Sequence, residues 1–231
     1  CAPSGASVGK FEAVSFPNNS PEESLSILNQ NSNKFIGIDS SDLKQVHDVI
    51  HSIDGTDNYA KIGGACAFAI TIAATESAAK AENKQFFQMI SDKSNLRFPF
   101  PLGNILGGGA HAGPGTPDIQ EILVASIGAK TVRESIDMNL QVHKELKKLI
   151  LKSDPTFTNG RGDEGGWAPK FNNEEALDIS VKAIENLGFT LGNEIGLGVD
   201  FASSTQWDEG KKKYVYDRAG FENDSGEQIE F

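Results

Sequence analysis

Thiols are scarce in this 231-residue sequence, which holds only Cys1 and Cys66. Their spacing supports neither a disulfide framework nor a zinc site. Such sparing use of cysteine is expected of a reducing, cytoplasmic compartment. Basic charge is also short. Lys and Arg number 21 against 32 Asp and Glu, a net charge of −11. That excludes the basic footprint of a nucleic-acid binder, and no polybasic helix addresses a membrane surface. Long apolar runs are missing too. The most apolar stretch, 63–74, is interrupted by Thr71, is too short to span a bilayer and lacks signal-peptide flanks. No internal repeat and no low-complexity tract occurs.

What is present suffices for a sizeable core in one or two domains, since 38% of the residues are hydrophobic. Ser20-Pro21-Glu22-Glu23 predicts a helix start with Ser20 as cap and Glu23 completing a capping box. Leu43, Val46, Val49, Ile50 and Ile53 share one face of a second helix, which Gly55 ends. An alanine-rich helix is expected from Gly63-Gly64 to about residue 81, and another over about 83–91. Phe98-Pro99-Phe100-Pro101 breaks any helix, so a domain boundary is placed near Leu96, dividing the chain into 1–95 and 96–231. Beyond it, 131–152 predicts a long amphipathic helix with Val132, Ile136, Leu140 and Leu146 inward. Asn172 or Asn173 caps a further helix over 174–187, stopped by Gly188. Residues 195–200 predict a strand. Asp208-Glu209-Gly210 reads as a turn before a strand at Tyr214-Val215-Tyr216. A helical block followed by strand–helix alternation predicts an α/β barrel as the second domain.

Three acids stand where apolar runs end: Glu121, Glu164 and Asp200. The intervals from 121 to 164 and from 164 to 200 each fit one strand, one helix and two loops. Barrel enzymes gather catalytic groups from the carboxyl ends of successive strands. Three converging acids make a hard-oxygen site of the kind that binds Mg²⁺. Read singly, each acid has a bland alternative: a surface turn for Asp163-Glu164, a cap for Asp200. Ile119 and Ile122 fall on different faces of their strand, so the pattern leaves open which way Glu121 points. Gly107-Gly108-Gly109 lacks the endings of a P-loop and the spacing of a dinucleotide fingerprint. Either it is a tight turn needing positive φ or it places His111 over a site. His143 reads as structural, and His47 and His51 as solvated.

Together these segments resemble the enolase family over nearly the whole chain. Pro3-Ser4-Gly5-Ala6-Ser7-Val8-Gly9 is similar to the family's first mobile loop, with Val8 where a threonine is usual. Pro101-Leu102-Gly103-Asn104 through Gly108-Gly109-Ala110-His111-Ala112-Gly113 resembles the second. Gln120-Glu121, Gly128-Ala129-Lys130-Thr131, Gly162-Asp163-Glu164-Gly165-Gly166 with Ala168-Pro169, and Gly198-Val199-Asp200-Phe201-Ala202-Ser203-Ser204 follow in family order. Asn159-Gly160-Arg161 departs from the commoner Asn-Val before Gly162, in what looks like an archaeal-type variation.

The resemblance implies a partial N-terminal capping domain, then the first part of a TIM-like βα barrel. It implies Mg²⁺-dependent interconversion of 2-phosphoglycerate and phosphoenolpyruvate in glycolysis and gluconeogenesis, usually by a dimer or larger oligomer. Asp200 would bind the first Mg²⁺ and Ser7 would join the second. Ala6, Ser7, Gln120, Glu121 and His111 would contact substrate, and Glu164 would protonate the departing 3-hydroxyl. The family's base lysine, arginine clamp and two further metal carboxylates have no counterpart here. The chain opens directly on the serine loop and stops at Ile229-Glu230-Phe231, so it reads as part of a longer protein and as inactive alone. Abstraction of a proton from another carboxylate, or a non-catalytic role, remain alternatives.

Overall fold

A computed structural model describes residues 7–91 and 96–216. The chain divides into two compact units between Leu96 and Arg97.

The first unit is helical. Helix α1 spans Pro21–Gln30, and Ser20 Oγ accepts from the Glu23 amide at 3.2 Å. The capping box is only half formed. Glu23 accepts instead from Asn18 Nδ2 at 2.9 Å, because the Ser20 amide already donates to Pro17 O. Helix α2 (Leu43–Asp54) buries Val46, Ile50 and Ile53, with Leu43 and Val49 half-buried beside them, and ends at Gly55 in a left-handed conformation. Helix α3 (Gly64–Ala81) packs on α2, and Ile62 and Ala67 complete this core. The helix expected over 83–91 shrinks to one turn, α4 (Phe86–Met89), because Asn83 turns left-handed at φ 54° and breaks it. His47 and His51 are exposed, as expected. Asp54 is buried and accepts from the amides of Thr56, Lys61 and Ile62. Burial pushes its carboxyl up, but a hydrogen bond from the Thr56 hydroxyl together with these amides outweighs burial and holds it below the ordinary value.

The second unit is mixed α/β. Its sheet is ordered β1 (Leu102–Gly107), β2 (Glu121–Ala125), β3 (Gly196–Asp200), and β2 runs antiparallel to both neighbours. On its far side β1 also bridges Trp167: the Trp167 amide donates to Ile105 O at 3.1 Å, and its carbonyl accepts from Gly107 at 2.9 Å. Among the described residues the sheet does not close.

Helix α5 (Val132–Ser153) packs against β1 and α6 (Asn173–Asn186). Thr131 caps the first, and Asn172 with Glu175 forms a full capping box on the second. Ile122, Val124, Val142, Leu146, Ile150, Ala183 and Ile184 are all sealed from solvent.

One helical face differs from expectation. Leu146 is buried, but Val132, Ile136 and Leu140 are 38%, 44% and 47% exposed. Helix α5 carries two apolar stripes, and the sheet takes the one built from Met138, Val142, Leu146 and Ile150. At the end of the described chain, β4 (Trp207–Asp208) pairs with β5 (Lys213–Tyr214). The strand expected at 214–216 is instead the short β5, shifted one residue earlier, and the Val215 amide still donates to Gln206 O at 2.8 Å in the register of that pairing.

Candidate active site

One end of the sheet collects the chemistry. Asp200 is the last residue of β3 and pairs with Glu121, which opens β2; Glu121 pairs in turn with Gly107, the last residue of β1. The expectation that Glu121 ends a strand is corrected. Because β2 is reversed, its first residue lies at the edge where β1 and β3 present their last. Ile122 and Val124 point into the helix-packed core, so Glu121 faces the opposite side of the sheet. Glu164 is not at a strand end either. It sits in a turn between Arg161 and Trp167, which bridge one another.

His111 follows the glycine run, within a 3-10 turn over Gly109–His111. Its Nδ1 lies 3.2 Å from Glu121 Oε1, at ion-pair distance but badly aligned for a hydrogen bond. Both side chains are largely buried. Ligand atoms of His111, Glu121 and Glu164 lie within 4.8 Å of one another. The two loops are joined as well: the Asp163 amide donates to His111 O at 3.1 Å, and a Cβ on Gly162 would fall 2.6 Å from that same oxygen. Only glycine allows the Glu164 turn to come this close.

Electrostatics reflect the crowding. Burial, then hydrogen bonding and charge from Glu164, push the Glu121 carboxyl up to about 7; Asp200 adds to this and His111 opposes it. Asp200 is exposed, and one of its oxygens accepts from the Ala202 amide at 2.9 Å. The Gln120 amide donates to Asp200 O. Gln120 itself is buried, and its side-chain oxygen has no hydrogen-bond partner among the described residues. Such an orphan is costly unless a ligand satisfies it. Three carboxylates at one mouth form a donor set suited to a hard divalent cation.

His111, Glu121, Glu164 and Asp200 are thus brought to one place, and the Gln120 backbone adjoins Asp200. Ser7 belongs to the first unit, half-buried in a bend, and Ala6 lies outside the described residues. Two contributors escaped the sequence reading. Asn104 Nδ2 lies 3.5 Å from Glu164 Oε2, and its place in Pro101-Leu102-Gly103-Asn104 was the available signal. His143, read as structural, meets the Glu164 turn at Gly165 O, 3.1 Å away; nothing in its helical spacing marks that partner.

Comparison with known proteins accounts for this arrangement. Residues 95–230 match the family model described as the enolase C-terminal TIM barrel domain, and residues 1–90 match the enolase N-terminal domain. An enolase of Methanosphaera stadtmanae is 42% identical over 231 residues, covering 100% of this chain and 56% of that protein. An enolase of Methanothermobacter thermautotrophicus is 41% identical with the same coverage, and one of Pyrobaculum aerophilum 36% identical over 55% of its length. The chain therefore spans little more than half the length of these relatives. With both domain models matched in order and the acids of the second gathered at one edge of its sheet, the chain belongs to the enolase family.

Proposed function

We propose that this chain is part of a lyase, phosphopyruvate hydratase, which interconverts 2-phosphoglycerate with phosphoenolpyruvate and water in cytoplasmic glycolysis and gluconeogenesis. Residues 1–95 are read as a partial N-terminal domain and 96–231 as the first part of the barrel. The complete protein works with Mg²⁺ as a homodimer or larger assembly. The observation that carries this reading is the grouping of His111, Glu121 and Glu164, with Asp200 opposite Glu121.

The reaction dictates the residue types. The proton to be removed is α to a carboxylate and barely acidic, and its loss places a second negative charge beside the first. Magnesium, when bound, would supply fixed positive charge there; by resemblance Asp200 would hold the first ion and Ser7 would join a second. Hydroxide is a poor leaving group and needs a proton as it departs. Glu164 supplies it. Glu121 beside it is pushed up to about 7 by burial and by Glu164. Gln120 and Glu121 contact the substrate, with the orphaned Gln120 oxygen as an acceptor. His111, carried on a glycine loop, closes over the bound molecule and excludes water. The chain spans little more than half the length of its relatives, and the 231 residues alone are expected to form no product.

The test compares the complete protein with this chain. Phosphoenolpyruvate formed from 2-phosphoglycerate by the complete protein, abolished by chelation and restored by Mg²⁺, is expected, with none formed by the chain alone. Turnover of a different carboxylate in its place would favour another proton-abstracting member of the superfamily.

A further inference from the structure

The turn that carries Glu164 is fixed at its base and at its tip by different means. At the base, Arg161 bridges Trp167, and Trp167 is hydrogen-bonded to β1 on both sides of its backbone. The tip is exposed at Asp163 and Glu164, and backbone bonds hold its leading side: the Asp163 amide donates to His111 O at 3.1 Å and the Gly165 amide to Gly162 O at 3.0 Å. Gly165 is left-handed at φ 84°, a conformation that glycine adopts without strain. Its carbonyl oxygen lies 3.1 Å from His143 Nε2 on α5. A carbonyl can only accept, so Nε2 must carry the proton.

His143 is in turn locked against the same segment. Its ring stacks on Trp167 with centroids 4.7 Å apart at 23°, and the Trp167 indole N–H donates to the His143 carbonyl at 2.8 Å. The Arg161 guanidinium lies 4.4 Å from the Trp167 ring centroid, Lys147 Nζ lies 5.2 Å away, and Phe157 meets the ring edge-on. The ring is therefore gripped by the base of the turn whose tip it holds. Burial pushes the imidazole down from its ordinary value, and the charges of Arg161 and Lys147 add to this against the opposing Gly165 bond.

We infer that His143 is a positioning residue for Glu164: its Nε2–H bond to Gly165 O, braced by the Trp167 stack, sets the turn that aims the Glu164 carboxyl at the site. The inference rests on Glu164 being the proton donor. Without the bond to Gly165 O the trailing side of the turn loses its side-chain anchor, and misplacement of a reacting group by about 1 Å can cost about 10²-fold in rate. His143 stands outside the grouping of His111, Glu121 and Glu164, so its loss is expected to act on turnover and not on binding.

The experiment is a double-mutant cycle in the complete enzyme. His143→Phe keeps an aromatic ring on Trp167 and removes the donor; His143→Gln keeps a donor. His143→Phe is expected to lower kcat about 10- to 100-fold with KM unchanged, and His143→Gln to recover most of it. The His143→Phe, Glu164→Gln double variant should be no slower than Glu164→Gln alone. Wild-type kcat in His143→Phe, or losses that multiply in the double variant, would overturn the inference. Full activity in Glu164→Gln would instead remove the underlying assignment of Glu164. Should His143→Phe fail to fold, proton–nitrogen spectra of the unaltered enzyme decide: an Nε2–H tautomer is expected, and an Nδ1–H tautomer refutes the bond.

Discussion

At the scale of residues, Glu121 carries a free-energy cost with a measurable sign. Its ordinary value is 4.5, and the folded protein raises it to about 7, first through burial and then through Glu164. The folded state therefore holds a proton that the unfolded chain gives up between those values. Stability contributed by this group is full below about 4.5 and declines as pH rises towards 7. His143 works oppositely: its depressed value makes stability rise as pH approaches its ordinary 6.5. The wild-type profile sums both, so a difference isolates Glu121. The melting temperature of Glu121→Gln minus that of wild type should grow from about pH 5 to about pH 7.5. A difference constant across that range would mean Glu121 is not perturbed. Of these residues, Asp200 was legible because a charge closes an apolar run. The direction of Glu121 was not, because it lies between Ile119 and Ile122 and only the pairing with β1 and β3 decides its face. His143 was hidden for the same reason, since a helix position fixes a direction and not the loop that arrives there.

At the scale of elements, local rules read well and choices between equals did not. Ser20, Gly55, Thr131 and Asn172 bound their helices where the sequence places them, because caps depend on residues three or four positions away. Helix α5 offered two apolar stripes of similar quality, and only the sheet below chose between them. The reversal of β2 was invisible in the acids' spacing, which is the same for either strand direction. The chosen stripe can be tested by equilibrium urea unfolding of the second unit's transition. Leu146→Ala, at a fully sealed site, should cost about 2–5 kcal/mol. Leu140→Ala, at a site 47% exposed, should cost less than about 1 kcal/mol. Equal costs would contradict the packing described.

At the scale of the whole molecule, a chain of net charge −11 gathers acids at the mouth of its second unit, which is unfavourable without a compensating charge. On the proposed function, Mg²⁺ held by Asp200 would meet this demand, and Glu164 would serve as the proton donor. One paired measurement separates the two acids: kcat and KM of Asp200→Asn and Glu164→Gln in the complete enzyme, over a wide range of Mg²⁺ concentration. Glu164→Gln should lose about 10²–10⁴-fold in kcat with KM little changed, and added metal should not restore it. Asp200→Asn should be partly rescued as Mg²⁺ rises. Equal rescue of both variants by metal, or full activity in Glu164→Gln, would contradict the account.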